Sequence, residues 1–124
     1  MSLETIRLSE QAKDQLTRVK RNTRIKNWNV LCRWALCMSL AEETKPNPSK
    51  ISADSSVEMT WKVFGGADAD VYLALIKQRC HEDGLGTGSS TVEEQFRVHL
   101  HRGIGYLFGD PELKSLSGLV KRGC

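Results

Sequence analysis

The run Val30–Ala41 sets apolar side chains around nearly the whole circumference of a helix, broken only by Arg33 and Ser39. A helix of this kind must be covered on more than one side, so the rest of the chain has to pack about it or share it with another subunit. The run is shorter than the ~20 residues a bilayer requires, which makes it a core helix and not a membrane anchor. With 124 residues, 40% hydrophobic and 27% charged, the chain has the makeup of one globular domain, neither fibrous nor wholly disordered. No repeat and no composition shift divides it, so residues 1–124 are expected to form a single, mainly α domain.

Residues 1–43 read as a strand-helix-helix unit. Leu3–Leu8 alternates, with Ile6 and Leu8 on one face and Thr5 and Arg7 on the other. Ser9 is placed to cap a first helix, whose buried stripe is Ala12, Leu16 and Val19 and whose break falls at Asn22-Thr23. The apolar helix then starts around Asn27–Asn29. Residues 44–124 read as a helical remainder after the Lys45-Pro46-Asn47-Pro48-Ser49 break. In it, 57–64 alternates as a short strand and Ala69–His81 forms a helix. Ser90 or Thr91 caps a further helix with Val92, Phe96, His99 or Leu100, Gly103 and Leu107 inward, and Asp110-Pro111 opens a last short one.

Charge is unevenly distributed. The net charge is +3, yet residues 1–33 hold eight Lys or Arg against three Asp or Glu, a balance of +5 that leaves −2 for the remainder. On the first helix Lys13, Thr17, Lys20 and Arg24 share one surface stripe, away from the core stripe. Cations so spaced can meet successive phosphates, releasing counterions in a contact indifferent to sequence. The candidate DNA-binding residues are therefore Arg7, Lys13, Arg18, Lys20, Arg21, Arg24, Lys26 and Asn27, the last beside the open amides of the second helix. A solvated basic helix face is the plain alternative.

Other chemistry finds little support. Cys32, Cys37, Cys80 and Cys124 lack the paired short spacing of a metal module, and no export-signal pattern opens the chain, so reduced thiols in a cytoplasmic protein are expected. His99 and His101 point in different directions on a helix. Gly84–Ser90 is glycine-rich but lacks the Lys-Ser/Thr ending of a nucleotide loop, which favours a connector. No metal, cofactor or catalytic residue is called for.

The block Asn27-Trp28-Asn29-Val30-Leu31-Cys32-Arg33-Trp34-Ala35-Leu36-Cys37, together with Ile6-Arg7-Leu8-Ser9 and His99–Leu107, resembles the DndE family of bacterial DNA phosphorothioation proteins over most of the chain. The resemblance implies a ribbon-helix-helix-like fold assembled as a homotetramer and binding to double-stranded DNA, with nicked duplex favoured. It also implies cooperation with the other Dnd proteins that replace a phosphate oxygen by sulfur. A ribbon-helix-helix repressor reading bases through paired strands, and a scaffold that touches no DNA, are the competing expectations.

Overall fold

The computed structural model describes residues 5–47, 51 and 54–109. Strand β1, Thr5–Arg7, buries Ile6 and exposes Thr5 and Arg7, as the alternation predicts. It pairs antiparallel with β2, Glu58–Thr60, in the register Thr5↔Thr60, Ile6↔Met59, Arg7↔Glu58. The ribbon is thus made within one chain, whereas a ribbon-helix-helix dimer pairs strands from two.

Helix α1, Glu10–Thr23, starts where expected: the Ser9 hydroxyl accepts the Ala12 N–H at 3.1 Å. Ala12, Leu16 and Val19 are buried, joined by Thr23, whose hydroxyl donates to the Val19 carbonyl at 2.8 Å. The helix therefore runs through the predicted break, and the chain turns at Arg24, which takes a left-handed conformation with φ 62°. Helix α2, Trp28–Ala41, is the apolar helix, with Leu31, Cys32, Ala35, Leu36 and Ser39 buried.

The segment expected to be a strand over 57–64 is strand only to Thr60. There the Thr60 hydroxyl accepts the Val63 N–H at 3.1 Å and starts a short helix, α3, Trp61–Gly65. Alternation would have put Phe64 on the face of Lys62. A helical turn instead brings Trp61 and Phe64 to one side and leaves Lys62 and Val63 in solvent. Phe64 then stacks on Trp61 at 5.2 Å and meets Phe96 edge-on at 5.2 Å and Tyr72 at 5.5 Å, so aromatic burial decides the local structure.

A 3-10 turn at Gly66–Asp68 leads into α4, Ala69–Glu82, and a loop containing Gly84 and Gly86, both at positive φ, leads into α5, Ser89–Gly109. Since α5 already starts at Ser89, Ser90 and Thr91 lie in its first turn instead of capping it. The expected last helix after Asp110 lies outside the described residues.

Helix α5 is the axis of the domain. A Cβ built on Gly103 would come within 1.7 Å of the Ala35 carbonyl oxygen, so only glycine permits this approach to α2. Ala35 faces Gly103 and Ser39 faces His99, so α2 runs antiparallel to α5. Ser9 meets His101 and Arg18 meets Phe108, so α1 runs parallel to it. The C-terminus of α1, the N-terminus of α2 and the C-terminus of α5 therefore meet at one end. The N-terminus of α1 and the C-terminus of α2 lie at the other.

Candidate nucleic-acid interface

The first of these ends carries the cations. Residues 18–26 contain five Lys or Arg and no Asp or Glu. Arg18, Arg21, Arg24 and Lys26 are exposed, and Lys20 is half-buried. Among the described residues none of the five makes an ion pair or a side-chain hydrogen bond. Two of them meet rings: the Lys20 ammonium lies 4.4 Å from the Trp28 ring centroid, and the Arg18 guanidinium 5.8 Å from that of Phe108. Around α1, Arg21 points opposite the core, with Lys20 and Arg18 on its two flanks. Asn27 is exposed and caps α2 without a side-chain hydrogen bond to the helix. The first amides of α2 thus lie beside these cations, where an anion is favoured by the helix dipole.

Two predicted contacts fall elsewhere. Arg7 is ion-paired across the ribbon with Glu58 and also donates to the Ser55 carbonyl at 3.4 Å. Lys13 sits 3.8 Å from the Glu10 carboxylate and 3.2 Å from the Ser56 hydroxyl. Both are on the ribbon side of α1, with the predicted stripe running from Lys13 to the basic end. The rings at that end are the part a reading of charge misses. Trp28 directly follows the basic turn and could have been noticed, but Phe108 lies ninety residues from Arg18 and no spacing signals it.

The opposite end uses its arginines differently. Helix α2 has no basic residue in its last turn, and two guanidinium groups from other helices satisfy its carbonyls. Arg79 of α4 donates to the carbonyls of Leu40 at 3.0 Å, Thr44 at 2.7 Å and Glu43 at 3.2 Å, and pairs with Asp83 at 3.0 Å. Arg102 of α5 donates to the Ser39 carbonyl at 2.7 Å, the Ser39 hydroxyl at 2.8 Å and the Thr44 carbonyl at 2.8 Å. His99 is fully buried beside them, its Nδ1 2.8 Å from the Ser39 hydroxyl, while its Nε2 has no partner among the described residues. Burial, then the positive charges of Arg102 and Arg79, push its pKa down to about 4. His101 points the other way, its Nδ1 2.8 Å from the Arg97 carbonyl. Its Nε2 accepts the Ser9 N–H at 3.2 Å, a role open only to the neutral ring, and burial lowers its pKa.

A cavity of about 440 Å³ opens at this second end, between the start of α1 and α5, lined by Ser9, Glu10, Asp54, His101 and Arg102 among others. Within it the Asp54 carboxylate accepts the Glu10 N–H at 2.9 Å, and His101 accepts the Ser9 N–H. Burial raises the Cys32 thiol to about 12 and also raises that of Cys80, where Asp83 adds to the effect. Neither is an activated thiolate. Cys124 lies outside the described residues. Among those described, no group of three or more His, Cys, Asp or Glu could hold a metal, and no helix is long and apolar enough to cross a membrane.

The architecture is that of a small, mainly helical domain whose strand-helix-helix unit gathers at one end five cations with no ion pair among the described residues. The chain belongs to the DndE family, described as DNA sulphur modification protein DndE, whose model matches residues 5–115. It is similar in structure to DndE from Escherichia coli B7A, involved in DNA phosphorothioation modification, with a TM-score of 0.69 and 22% identity over 86% of this chain and 98% of that one. A lysine-substituted double mutant of DndE, involved in DNA phosphorothioation, is similar with a TM-score of 0.64 and 21% identity over 84% of this chain and 95% of that one. No curated protein sequence matches the chain.

Proposed function

We propose that this chain is a DNA-binding accessory subunit of the phosphorothioation machinery. It contacts the phosphate backbone of duplex DNA through the basic end, largely without regard to sequence, and favours nicked duplex. The observation that carries this reading is the cluster Arg18, Lys20, Arg21, Arg24 and Lys26, five cations without an ion pair among the described residues. Unpaired cations gathered beside open helix amides are the arrangement in which counterion release yields most affinity. The subunit has no catalytic role in this reading and works beside the other Dnd proteins in the cytoplasm. Copies assemble as a homo-oligomer, a tetramer, and the exposed Val63, Val71 and Leu75 on α3 and α4 offer apolar surface for association.

The repressor reading loses its footing, because β1 is paired within its own chain and Arg7 is held by Glu58. Arg7 and Lys13 are secondary contacts, available where phosphate competes with their present partners.

The test is a titration of nicked, intact and single-stranded DNA of one sequence across several salt concentrations. Five phosphate contacts predict a slope of log K against log salt of about −4 to −5 on duplex, and reversal of Lys20, Arg21 and Arg24 to Glu should weaken binding on every sequence and flatten the slope by about 3. Undiminished binding by the triple variant overturns the assignment, and strong preference for a single sequence restores the repressor.

A further inference from the structure

Cations alone cannot distinguish an interrupted strand from a continuous one, since both present phosphates at similar spacing. A nucleobase can: inside intact duplex both its faces stay stacked, while at an interruption the stack is no longer held by a continuous strand and can open to free one face. A flat apolar surface beside the phosphate contacts lets a protein favour interruptions by receiving that face.

Phe108 meets that requirement. It is 41% exposed near the end of α5, while its neighbour Leu107 is buried and anchors the turn that carries it. Arg18 lies 5.8 Å from its ring centroid, so a guanidinium plane and a phenyl ring stand together on the flank of α1 next to Arg21. Both surfaces stack on bases, and the guanidinium can at the same time hold a phosphate. Trp28, at the same end, is half-buried against the core, with the Lys20 ammonium 4.4 Å from its ring centroid. Phe108 is the more exposed of these two rings, so a base can reach it without rearrangement of the core.

Resting on the DNA-backbone reading above, we propose that Phe108, with Arg18, is a stacking platform for a strand-terminal or unpaired nucleobase. It is the residue that gives the basic end its preference for interrupted DNA. The platform takes any base, because every base has a π face, and so it adds structural selectivity without sequence selectivity.

The experiment uses the full chain with nicked and intact duplexes of identical sequence, carrying 5-iodouracil either at the interruption or at an internal position. Irradiation should cross-link the terminal base to Phe108, identified by peptide mapping, and the internal base should not reach it. In parallel, Phe108→Leu, which keeps apolar bulk but no ring, should lose about tenfold in affinity for nicked duplex with binding to intact duplex unchanged, and Phe108→Trp should restore it. Equal binding of both duplexes by Phe108→Leu and wild type, equal loss on both, or a cross-link map that omits Phe108 overturns the stacking role. If those results coincide with loss of binding on reversal of Arg21 and Arg24, only the stacking role falls. A wild-type chain that binds neither duplex removes the DNA reading as well.

Discussion

The two ends of the α1–α2–α5 assembly are both rich in arginine, and they use it in opposite ways. At the C-terminus of α2, Arg79 and Arg102 converge on the Thr44 carbonyl at 2.7 and 2.8 Å and between them serve four backbone carbonyls. At its N-terminus, Arg18, Arg21 and Arg24 make no ion pair or side-chain hydrogen bond among the described residues, and Arg18 lies over the Phe108 ring. Charge count does not separate the two groups, whereas the state of the donors does. A guanidinium whose N–H groups are satisfied internally holds the fold together, and one whose donors face water is available to a ligand.

The largest effect expected from breaking this contrast lies at the satisfied end. Arg79→Met removes a side chain that is 9% exposed, orphans carbonyls of the α2 terminus and leaves the Asp83 carboxylate, also 9% exposed, without its partner. A loss of about 3–5 kcal/mol should appear in denaturant unfolding. Arg21→Gln, at the other end, should leave unfolding within about 0.5 kcal/mol of wild type. Similar losses from the two variants would erase the distinction between the ends.

A smaller effect should follow from pH. His99 is neutral when folded, with its pKa near 4 against an ordinary 6.5. The unfolded chain takes up a proton as pH falls below 6.5, and the folded chain does so only near 4, so stability is complete above about pH 6.5 and declines toward 4. Between pH 7 and 5 this amounts to about 2 kcal/mol. His101, lowered by burial, contributes with the same sign. Unfolding midpoints of wild type and His99→Gln at the two pH values isolate the effect, and an equal pH dependence in both would refute it.

The contrast between the ends also separates what could be read in the chain from what could not. Ser9 as a cap, the Ala12/Leu16/Val19 stripe and the basic turn are local patterns, complete within a few residues, and each is present in the fold. Thr60 was open to two local readings, because alternation and a capped helical turn fit the same residues, and the choice depended on Phe96 thirty-two positions beyond Phe64. The satisfied end was illegible for a stronger reason. Arg79 and Arg102 bind carbonyls, which every residue has, so their targets leave no mark in the sequence. The cationic end was legible as charge, but that its residues are unpaired is a property of the folded surface, as is the meeting of Arg18 with Phe108.

The finest test of the comparison is a residue where fold and proposed function disagree. Arg24 is the only non-glycine described at positive φ, 62°, a conformation that costs an L residue about 1 kcal/mol and that glycine adopts freely at the end of a helix. Its backbone N–H closes α1 on the Lys20 carbonyl at 2.8 Å, a bond glycine would keep, while its side chain is exposed and unpaired among the described residues. Arg24→Gly should therefore raise stability by about 0.5–1 kcal/mol while weakening duplex binding and reducing the salt slope by about 0.9. A gain in stability with unchanged binding would mean that the guanidinium serves neither fold nor DNA. A loss of stability would mean that this arginine belongs with Arg79 and Arg102, and that the division between the two ends is drawn in the wrong place.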